Sequence, residues 1–424
     1  MDTGQGAGAH RKAIVFVVGV TLMNAVAVMI VIPVLPKLVR SFTGETASAA
    51  HYVGLFAAVF ALLQFAASPF LGSLSDRYGR RAVILISALG QGANFVLLAL
   101  APSLAWLLVA RVISGITSGN LPAVNAYIAD VVPAGRRAAS YGWVSAATST
   151  GFLLGPALGG LLGGVNPRLP FWVSAGLCFV NVFYGALVMP ESLKKEARAP
   201  LTFARANPAS ALHFLSGRPA IASLALVFLT LMIAQQCLPN TIVLYTDFRF
   251  GWSSGQIGAY LTLVGLANIL VQSLVVRGFV GRFGEPAAVI VGFSCYTIAF
   301  LIYATAPTGA AFVAGAPFFA FGGLITPGMQ AQMSRKVAPD EQGRLQGALA
   351  AASGLCGLFA PIMYTQVFAF AIDRGRDVLP PGAHMYLAAS FLALGAGLAS
   401  RYLYLQRAGA TARDHRKEIN RRTQ

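Results

Sequence analysis

The chain of 424 residues is 56% hydrophobic and only 11% charged, with a mean hydropathy of +0.68. This composition leaves too little polar surface for a water-soluble protein of that length, so it excludes a soluble enzyme or binding module and indicates a membrane protein. The net charge of +17 does not indicate nucleic-acid binding, because the basic residues lie between hydrophobic stretches and the basic tail lacks interleaved aromatic residues that stack on bases.

Hydrophobic stretches of about 20 residues recur along the whole chain, each long enough at about 1.5 Å per residue to cross a hydrocarbon core about 30 Å thick. In the first half they lie at residues 13–36, 51–72, 82–102, 104–129, 138–162 and 170–189. In the second half they lie at residues 220–244, 255–276, 286–306, 310–333, 345–370 and 384–405. We therefore predict an all-α membrane protein with twelve transmembrane helices.

The positions of the basic residues predict the orientation in the membrane. If the amino terminus is cytoplasmic, most Lys and Arg residues face the cytoplasm, and the other side holds only Lys37, Arg40, Arg168, Arg249, Arg374 and Arg376. By the positive-inside rule, both termini are then cytoplasmic, in a plasma membrane or bacterial inner membrane. The basic tail is expected to lie against the lipid headgroups.

Three separated features of the first half recur in the second half, which indicates a duplication. Each recurs 205 positions later: Pro122 as Pro327, Pro156 as Pro361, and the segment 76–79 as the segment 281–284. We predict two pseudo-symmetric six-helix bundles with a cytoplasmic linker between them and a basic cytoplasmic tail. The first bundle comprises residues 1–189, the linker 190–218, the second bundle 219–405 and the tail 406–424.

A charged segment joins the second and third predicted helices. Its glycines permit a tight turn and its charges cannot enter lipid, so we predict a loop between Gly72 and Arg81. The segment resembles the signature loop of the major facilitator superfamily, in which the acidic residue takes part in a charge relay that holds the two halves together on the inner side. The resemblance implies a gating role for Gly72, Asp76, Arg77, Gly79, Arg80 and Arg81. A merely solvated turn is the alternative.

The fifth predicted helix is rich in small residues and contains one proline. The residues are Gly142, Gly151, Gly155, Pro156, Gly159 and Gly160. Such a face lets helices approach closely and slide, and proline frees a backbone carbonyl at a kink. The spacing resembles the antiporter motif of exporting members of the superfamily. Tight packing without any bearing on the direction of transport is the alternative.

Arg111 is the only full charge deep inside a predicted span. An isolated arginine in a membrane is costly unless it faces a cavity or a partner, so a functional role is expected. The run from Arg111 to Gly115 resembles a superfamily motif implicated in proton transfer in antiporters. A structural arginine that caps carbonyl groups of a neighbouring helix is an equal alternative.

Over its whole length the chain resembles the tetracycline-exporter group of drug:proton antiporters. Besides the segments above, the resemblance is carried by residues 32–36, 126–130, 190–192 and 342–347. It implies a transporter, not an enzyme, in which two bundles rock about a central polar cavity and export a small amphipathic compound by alternating access. A facilitator or importer on the same fold, or a membrane sensor that transports nothing, are the alternatives.

One departure from that group concerns proton coupling. Its proton-driven members carry titratable residues at four positions where this chain has Asn24, Asn94, Asn268 and Tyr296. Of the fourteen acidic residues, none lies deep in a predicted span, and Asp130 and Asp247 lie at span ends. Asparagine keeps its hydrogen bonds but cannot titrate. We therefore expect antiport without the usual proton carriers, with facilitated diffusion or exchange of one solute for another as alternatives.

Amides that are costly in lipid are the candidates for the lining of the substrate cavity. They are Asn24, Gln64, Asn94, Asn120, Asn125, Gln235, Gln236, Asn240, Asn268, Gln272 and Gln330. For each single amide, a hydrogen bond between two helices is the alternative. The sequence predicts no catalytic site, metal or cofactor. The expected partners are a small-molecule substrate and the lipid bilayer but no nucleic acid, and the expected oligomeric state is a monomer.

Overall fold

The computed structural model describes the backbone of residues 3–118, 121–132, 137–193, 198, 219–338, 341–373 and 377–422. Side chains are described for residues 17–118, 123–132, 140–193, 198, 221–338, 341–342, 344–373 and 377–405. Most of the predicted linker, the side chains of the predicted basic tail and the candidate Asn120 therefore lie outside the described residues.

The described part of the first half is helical. Its helices are α1 (Thr3–Ile30), α2 (Leu35–Thr43), α3 (Thr46–Tyr78), α4 (Arg80–Leu100), α5 (Leu104–Ser118), α6 (Leu121–Val131), α7 (Arg137–Val165) and α8 (Leu169–Val188). Four residues in turn conformation separate α1 from α2, and Pro33 lies among them. Proline lacks the backbone N–H that would continue the helix, so the first span ends in a short separate helix.

The described part of the second half is also helical. Its helices are α9 (Pro219–Gln235), α10 (Cys237–Phe250), α11 (Ser254–Leu270), α12 (Val276–Thr305), α13 (Gly309–Val313), α14 (Ala316–Phe321), α15 (Ile325–Ser334), α16 (Gln342–Ile372) and α17 (Ala383–Arg422). A π-helical segment, Val271–Val275, joins α11 to α12, and a 3-10 segment, Gly322–Leu324, joins α14 to α15. No strand occurs among the described residues, and helices satisfy their own backbone hydrogen bonds as lipid requires.

Eleven helical runs among the described residues are long and apolar enough to cross a membrane. One of them, Ser254–Thr305, contains 52 residues, about twice the ~20–25 that a bilayer needs. Its backbone leaves the helical region at Gly284, with φ +80° and ψ 162°. The run therefore contains two helices, and the helical, strand-free structure of the described residues agrees with the predicted all-α membrane fold.

The backbone repeats the duplication that the sequence indicates. Gly79 and Gly284, which are 205 positions apart, both have positive φ, +108° and +80°. Glycine enters this region without the steric cost that other residues meet. The guanidinium groups of Arg77 and Arg282 lie 5.4 and 5.5 Å from the rings of the aromatic residues that follow them. The two halves therefore make the same turn at the same place.

The chain forms two compact units. Unit 1 consists of Met1–Asn207, Leu238–Leu266 and Gly357–Pro381, so it contains two segments from the second half of the sequence. Unit 2 consists of Pro208–Cys237, Ala267–Cys356 and Gly382–Gln424. Each unit is therefore assembled from separate stretches of the chain, and contacts between sequence-distant residues occur inside unit 1.

Candidate functional site

Arg80, the first residue of α4, is the centre of a charged cluster in unit 1. Its guanidinium forms ion pairs with Asp76, one turn earlier in the chain, and with Asp130 in the last turn of α6, at 3.3 Å. It also donates a hydrogen bond of 2.8 Å to the hydroxyl of Ser75, and Ser192 donates one of 2.9 Å to Asp130. The Arg80 side chain is only 11% exposed, so this cluster joins the ends of α3, α4 and α6 around one largely covered cation.

Glu191 caps the helix that begins at Arg80. Its Oε1 accepts a hydrogen bond of 2.9 Å from the backbone N–H of Arg80, where the helix dipole favours a negative charge. Gly79 has a φ of +108°, and a Cβ there would lie 2.2 Å from the Glu191 carboxylate, so the backbone conformation favours glycine and a larger residue would displace the cap. The sequence indicated no contact for Glu191, because the two partners are 111 positions apart.

The prediction of a loop from Gly72 to Arg81 is wrong. Helix α3 continues to Tyr78, so Gly72, Asp76 and Arg77 are helical and the turn consists of Gly79 alone. Asp76 therefore lies at a helix carboxyl terminus, where the dipole opposes a carboxylate. The ion pair with Arg80 offsets that effect, while Arg81 donates to the backbone oxygen of Ala186.

Unit 2 contains the counterpart of the Arg80–Asp130 pair with the charges exchanged. Glu285 and Arg335, each 205 positions later in the sequence, form an ion pair in which one Arg335 nitrogen lies 2.9 Å from Glu285 Oε1. The counterpart of Asp76 is Gly281. The ion pair is thus common to both halves, whereas the additional acid exists only in the first.

Three glycines of α7 form the surface on which α1 packs. A Cβ on Gly151 would lie 2.3 Å from the Cβ of Ala25, one on Gly155 2.3 Å from the Cβ of Met29, and one on Gly159 2.0 Å from the carbonyl oxygen of Ile30. The three glycines are four residues apart and therefore share one helix face. This contact lets the backbones of α1 and α7 approach closely, as the spacing predicts.

The remaining members of that motif differ from one another. Gly160 packs against α11, since a Cβ there would lie 3.0 Å from the Cα of Gly258, and a Cβ on Gly258 would lie 2.4 Å from the carbonyl oxygen of Pro156. No described residue lies within 4 Å of a Cβ added to Gly142. Among the described residues, Gly142 therefore does not share the close contact that Gly151, Gly155 and Gly159 make with α1.

A second ionic contact in unit 1 joins α2 to α10. Lys37 Nζ lies 3.6 Å from the carboxylate of Asp247, and Arg40 pairs with the same carboxylate. Lys37 also donates a hydrogen bond of 2.6 Å to the carbonyl oxygen of Trp252. We call Lys37, Arg40 and Asp247 the Asp247 cluster. It lies at the end of the helices predicted to be extracytoplasmic, and Asp247 is only 16% exposed.

A cavity of about 260 Å³ lies within unit 1. Its polar lining consists of Gln91, Asn94, Arg111, Ser114, Ser118 and Asn240, and aromatic side chains including Phe56, Phe60 and Phe95 complete it. The structure thus brings together three sequence-predicted residues, Asn94, Arg111 and Asn240. The sequence did not single out the two serines, because a serine in a helix gives little signal when it hydrogen-bonds locally.

The polar groups of this cavity fall into two kinds. Gln91 bonds to the hydroxyl of Ser118, and its Oε1 accepts a hydrogen bond of 3.3 Å from the hydroxyl of Ser114, so these groups join α4 to α5. By contrast, Asn94 Oδ1 and Arg111 Nε are buried without a hydrogen-bond partner among the described residues. The alternative in which Arg111 caps carbonyl groups of a neighbouring helix therefore finds no support in the described part of the chain.

A second cavity, of about 430 Å³, lies within unit 2. Its lining brings together the predicted candidates Gln235, Asn268, Gln272 and Gln330 with Tyr296, Thr326 and Pro327. Gln272 lies in the π-helical segment, a distortion that often occurs at functional sites. No charged residue is among the described lining residues of this cavity.

Five candidate amides do not contribute to either described lining. Gln64 donates a hydrogen bond of 3.5 Å to the carbonyl oxygen of Ser118, which is the interhelical alternative. Asn24 and Asn125 are exposed, and Gln236 lies at the break between α9 and α10. Asn120 is outside the described residues. The amide criterion therefore selects cavity residues and interhelical hydrogen bonds alike.

Comparison with known proteins identifies the family. The family model of the Major Facilitator Superfamily matches residues 17–361. The chain belongs to the major facilitator superfamily. It is accordingly a multi-pass membrane transporter, and the solved structures that resemble this major facilitator protein are those of transporters.

Relatives with curated descriptions match this major facilitator protein over nearly their whole length. It is 36% identical to the tetracycline resistance protein, class C, of Escherichia coli over 379 residues, which are 89% of this chain and 95% of the relative. It is 30% identical to the class B protein of Escherichia coli, over 82% of this chain and 86% of that relative. The resemblance to the tetracycline-exporter group is confirmed.

Solved structures of the superfamily share the fold. The human organic anion transporter MFSD10 superposes with a TM-score of 0.67 at 23% identity, over 92% of this chain and 99% of that one. A crystal structure of the nucleoside transporter NupG gives a TM-score of 0.73 at 13% identity, over 92% and 99% of the two chains. At these identities the comparison establishes the fold alone.

Proposed function

We propose that this major facilitator protein exports small amphipathic organic compounds across the plasma membrane or bacterial inner membrane, with tetracyclines as the first compounds to test. The observation that carries the proposal is the likeness to tetracycline resistance proteins, which covers nearly the whole of both chains. A membrane transporter that confers resistance must lower the internal drug concentration, which favours export. We propose further that the protein is a monomer with both termini cytoplasmic, as the distribution of basic residues predicts.

The geometry of the two units is suited to such a substrate. The described polar linings consist of amides, hydroxyls and one guanidinium, next to phenylalanine side chains. Ligand pockets typically combine an apolar wall with a few polar groups that fix orientation. The closely packed glycine face of α7 and the ion pairs at the ends of the helices are elements that an alternating-access cycle needs to rearrange.

The coupling mechanism that we propose is exchange of the substrate for another solute rather than for a proton. The observation that favours it is the lack of any carboxylate or histidine among the described lining residues of both cavities. Asparagine and glutamine cannot load and release a proton near neutral pH. An imposed pH gradient across proteoliposomes should therefore drive little net flux, whereas substrate trapped on the far side should accelerate uptake. Strong uphill uptake driven by the pH gradient alone contradicts this mechanism.

The export proposal is tested by growth of a drug-sensitive bacterium on a compound panel, with the wild type and with Asp76→Ala. The wild type should raise the tolerated concentration of at least one amphipathic compound, and everted membrane vesicles should accumulate that compound. Asp76→Ala should reduce transport while the protein remains in the membrane, because Asp76 has no counterpart in the second half. Export is contradicted if everted wild-type vesicles do not take up the compounds to which the protein confers tolerance. It is also contradicted if cells that contain the protein accumulate these compounds.

A further inference from the structure

Arg111 carries the only formal charge among the described lining residues of the two cavities. It lies on α5 in the cavity of unit 1, beside two serines and two asparagines. No described residue forms an ion pair with it, and its Nε is buried without a hydrogen-bond partner. Arg111 as a whole is half-buried, and an arginine inside a membrane span is costly without a counter-charge. The described structure of unit 1 therefore contains a positive site that a ligand of opposite charge would complete.

The described surroundings of Arg111 do not supply that counter-charge. The Asp247 cluster contains two cations and one carboxylate, so it adds net positive charge to unit 1. Gln91 is engaged with Ser114 and Ser118 and carries no charge. The resemblance described above places Asn94 where proton-driven relatives carry a titratable residue. Asn94 itself is uncharged, so it cannot neutralise the arginine.

We propose that the guanidinium of Arg111 binds the negatively charged group of the transported compound. The preferred substrates are then amphipathic organic anions that carry a carboxylate, an enolate or a similar delocalised charge. This inference rests on the proposed function, because it names the substrate class of the same site. A guanidinium is suited to such groups because its planar N–H donors match a carboxylate in pairs. Phe56, Phe60 and Phe95 offer an apolar wall to the body of the same molecule.

Asn94 has a complementary role in this arrangement. Its side chain is 1% exposed, it lines the same cavity, and its Oδ1 has no donor among the described residues. A substrate that carries a hydroxyl or an amide N–H next to its anionic group would satisfy this oxygen. The geometry thus favours a compound with an anionic group and a neighbouring hydrogen-bond donor over a simple fatty acid.

The test measures binding to the purified full-length protein in detergent, by thermal stabilisation and tryptophan fluorescence. The probes are matched triplets on benzene, naphthalene and anthracene bodies, each as the carboxylate, the neutral carboxamide and the methylammonium. On at least one body, the wild type should bind the carboxylate at least about tenfold more tightly than the other two, as expected for a hydrogen bond to a charged group. Arg111→Gln should remove this preference, and Arg111→Lys should keep its sign but weaken carboxylate binding.

Arg168→Gln is the matched control. Arg168 donates hydrogen bonds of 3.0 Å to the carbonyl oxygens of Ala99 and Ala101 and does not line the cavity, so its loss should leave the anion preference intact. A wild type that binds the amide or the ammonium as well as the carboxylate contradicts the inference, as does a wild type that binds none of the probes up to their solubility limits. A carboxylate preference that survives Arg111→Gln also overturns it.

The wild-type comparison keeps the test decisive if Arg111→Gln does not fold. The outcome is also separable from that of the proposed function, because binding is measured without transport. Export of only neutral or cationic compounds would leave the exporter proposal standing and remove the anionic substrate. Selective binding of anions by a protein that exports nothing would support the anion site and contradict the exporter proposal.

Discussion

The Asp247 cluster provides a direct way to test whether the predicted extracytoplasmic end of the protein acts as a gate. Lys37 and Arg40 lie three residues apart on α2, on one face of that helix, and both contact Asp247 of α10. Asp247→Asn keeps the shape of the side chain but removes the negative charge. Two cations then lie next to each other without a counter-charge, so the contact between α2 and α10 should weaken.

The size of the effect follows from the exposure of the three side chains. Lys37 is 23%, Arg40 41% and Asp247 16% exposed, which is intermediate between a surface pair and a buried one. Surface pairs contribute about 0–1 kcal/mol, and breaking a buried pair costs about 3–5 kcal/mol. We therefore expect a loss of about 2 kcal/mol, which shifts a closed-to-open equilibrium roughly thirtyfold.

The assay is the rate at which a membrane-impermeant maleimide modifies Val53→Cys in intact cells. Val53 lines the cavity of unit 1, and the reporter requires a background in which Cys178, Cys237, Cys295 and Cys356 are replaced by alanine. Asp247→Asn should raise the rate, up to the thirtyfold limit if labelling follows the open population. Exchanging the charges, with Arg40→Asp and Asp247→Arg together, should bring the rate back towards that of the parent.

Glu45→Gln is the control, since it removes an exposed carboxylate two residues after α2 that forms no ion pair among the described residues. It should leave the labelling rate unchanged. An Asp247→Asn rate equal to that of the parent would show that the cluster does not hold the cavity closed. An equal rise with Glu45→Gln would show that net charge, not this contact, controls access.

Two further predictions concern packing and the repeated ion pair. Gly155→Val should prevent accumulation of folded protein in the membrane, because its Cβ would lie 2.3 Å from the Cβ of Met29. Gly142→Ala is the control and should accumulate normally. Similar membrane levels of the two variants would contradict close packing of α1 on α7. Glu285→Arg should lower the melting temperature in detergent modestly, as expected for a pair worth about 0.5–1 kcal/mol, because Arg335 is 63% exposed. Adding Arg335→Glu places the cation and the acid as in the Arg80–Asp130 pair and should restore the melting temperature. A double variant that is no more stable than the single variant would show that this ion pair does not contribute to stability.

The spans could be predicted from the sequence because the signal is local. A stretch of about 20 apolar residues identifies a membrane helix without knowledge of its neighbours. The ends of the helices were less predictable, since α3 extends through charged residues to Tyr78 where the sequence indicated a loop. Hydropathy reports the part of a helix that lies in lipid, not the polar turns that continue beyond it.

The cavity residues could be predicted only in part. Arg111 was predictable because a charge in a membrane span is costly and needs a reason, and Asn94 satisfies a similar criterion. The same criterion selected Gln64, which bonds to the backbone of α5 instead. Lys37 and Asp247 could not be paired from the sequence, because they are 210 positions apart and no local pattern connects them. Whether a polar side chain faces a cavity or a neighbouring helix depends on tertiary packing alone.

The exchange of charges between the two halves distinguishes two kinds of residue at the helix ends: those that join helices in both halves, and Asp76, which only the first half has. The first half pairs Arg80 with Asp130, and the second half pairs Glu285 with Arg335 at the equivalent positions. What the two halves share is the contact between these positions, not the sign of either residue, so the pair serves to join helices. Asp76 is different, because the equivalent residue of the second half is a glycine. It lies at the end of α3, where its ion pair with Arg80 offsets the unfavourable helix dipole, and it shares that cation with Asp130. Asp76 is half exposed, and without it Arg80 would still be paired with Asp130. We therefore propose that Asp76, and not the ion pair that both halves share, has the gating role.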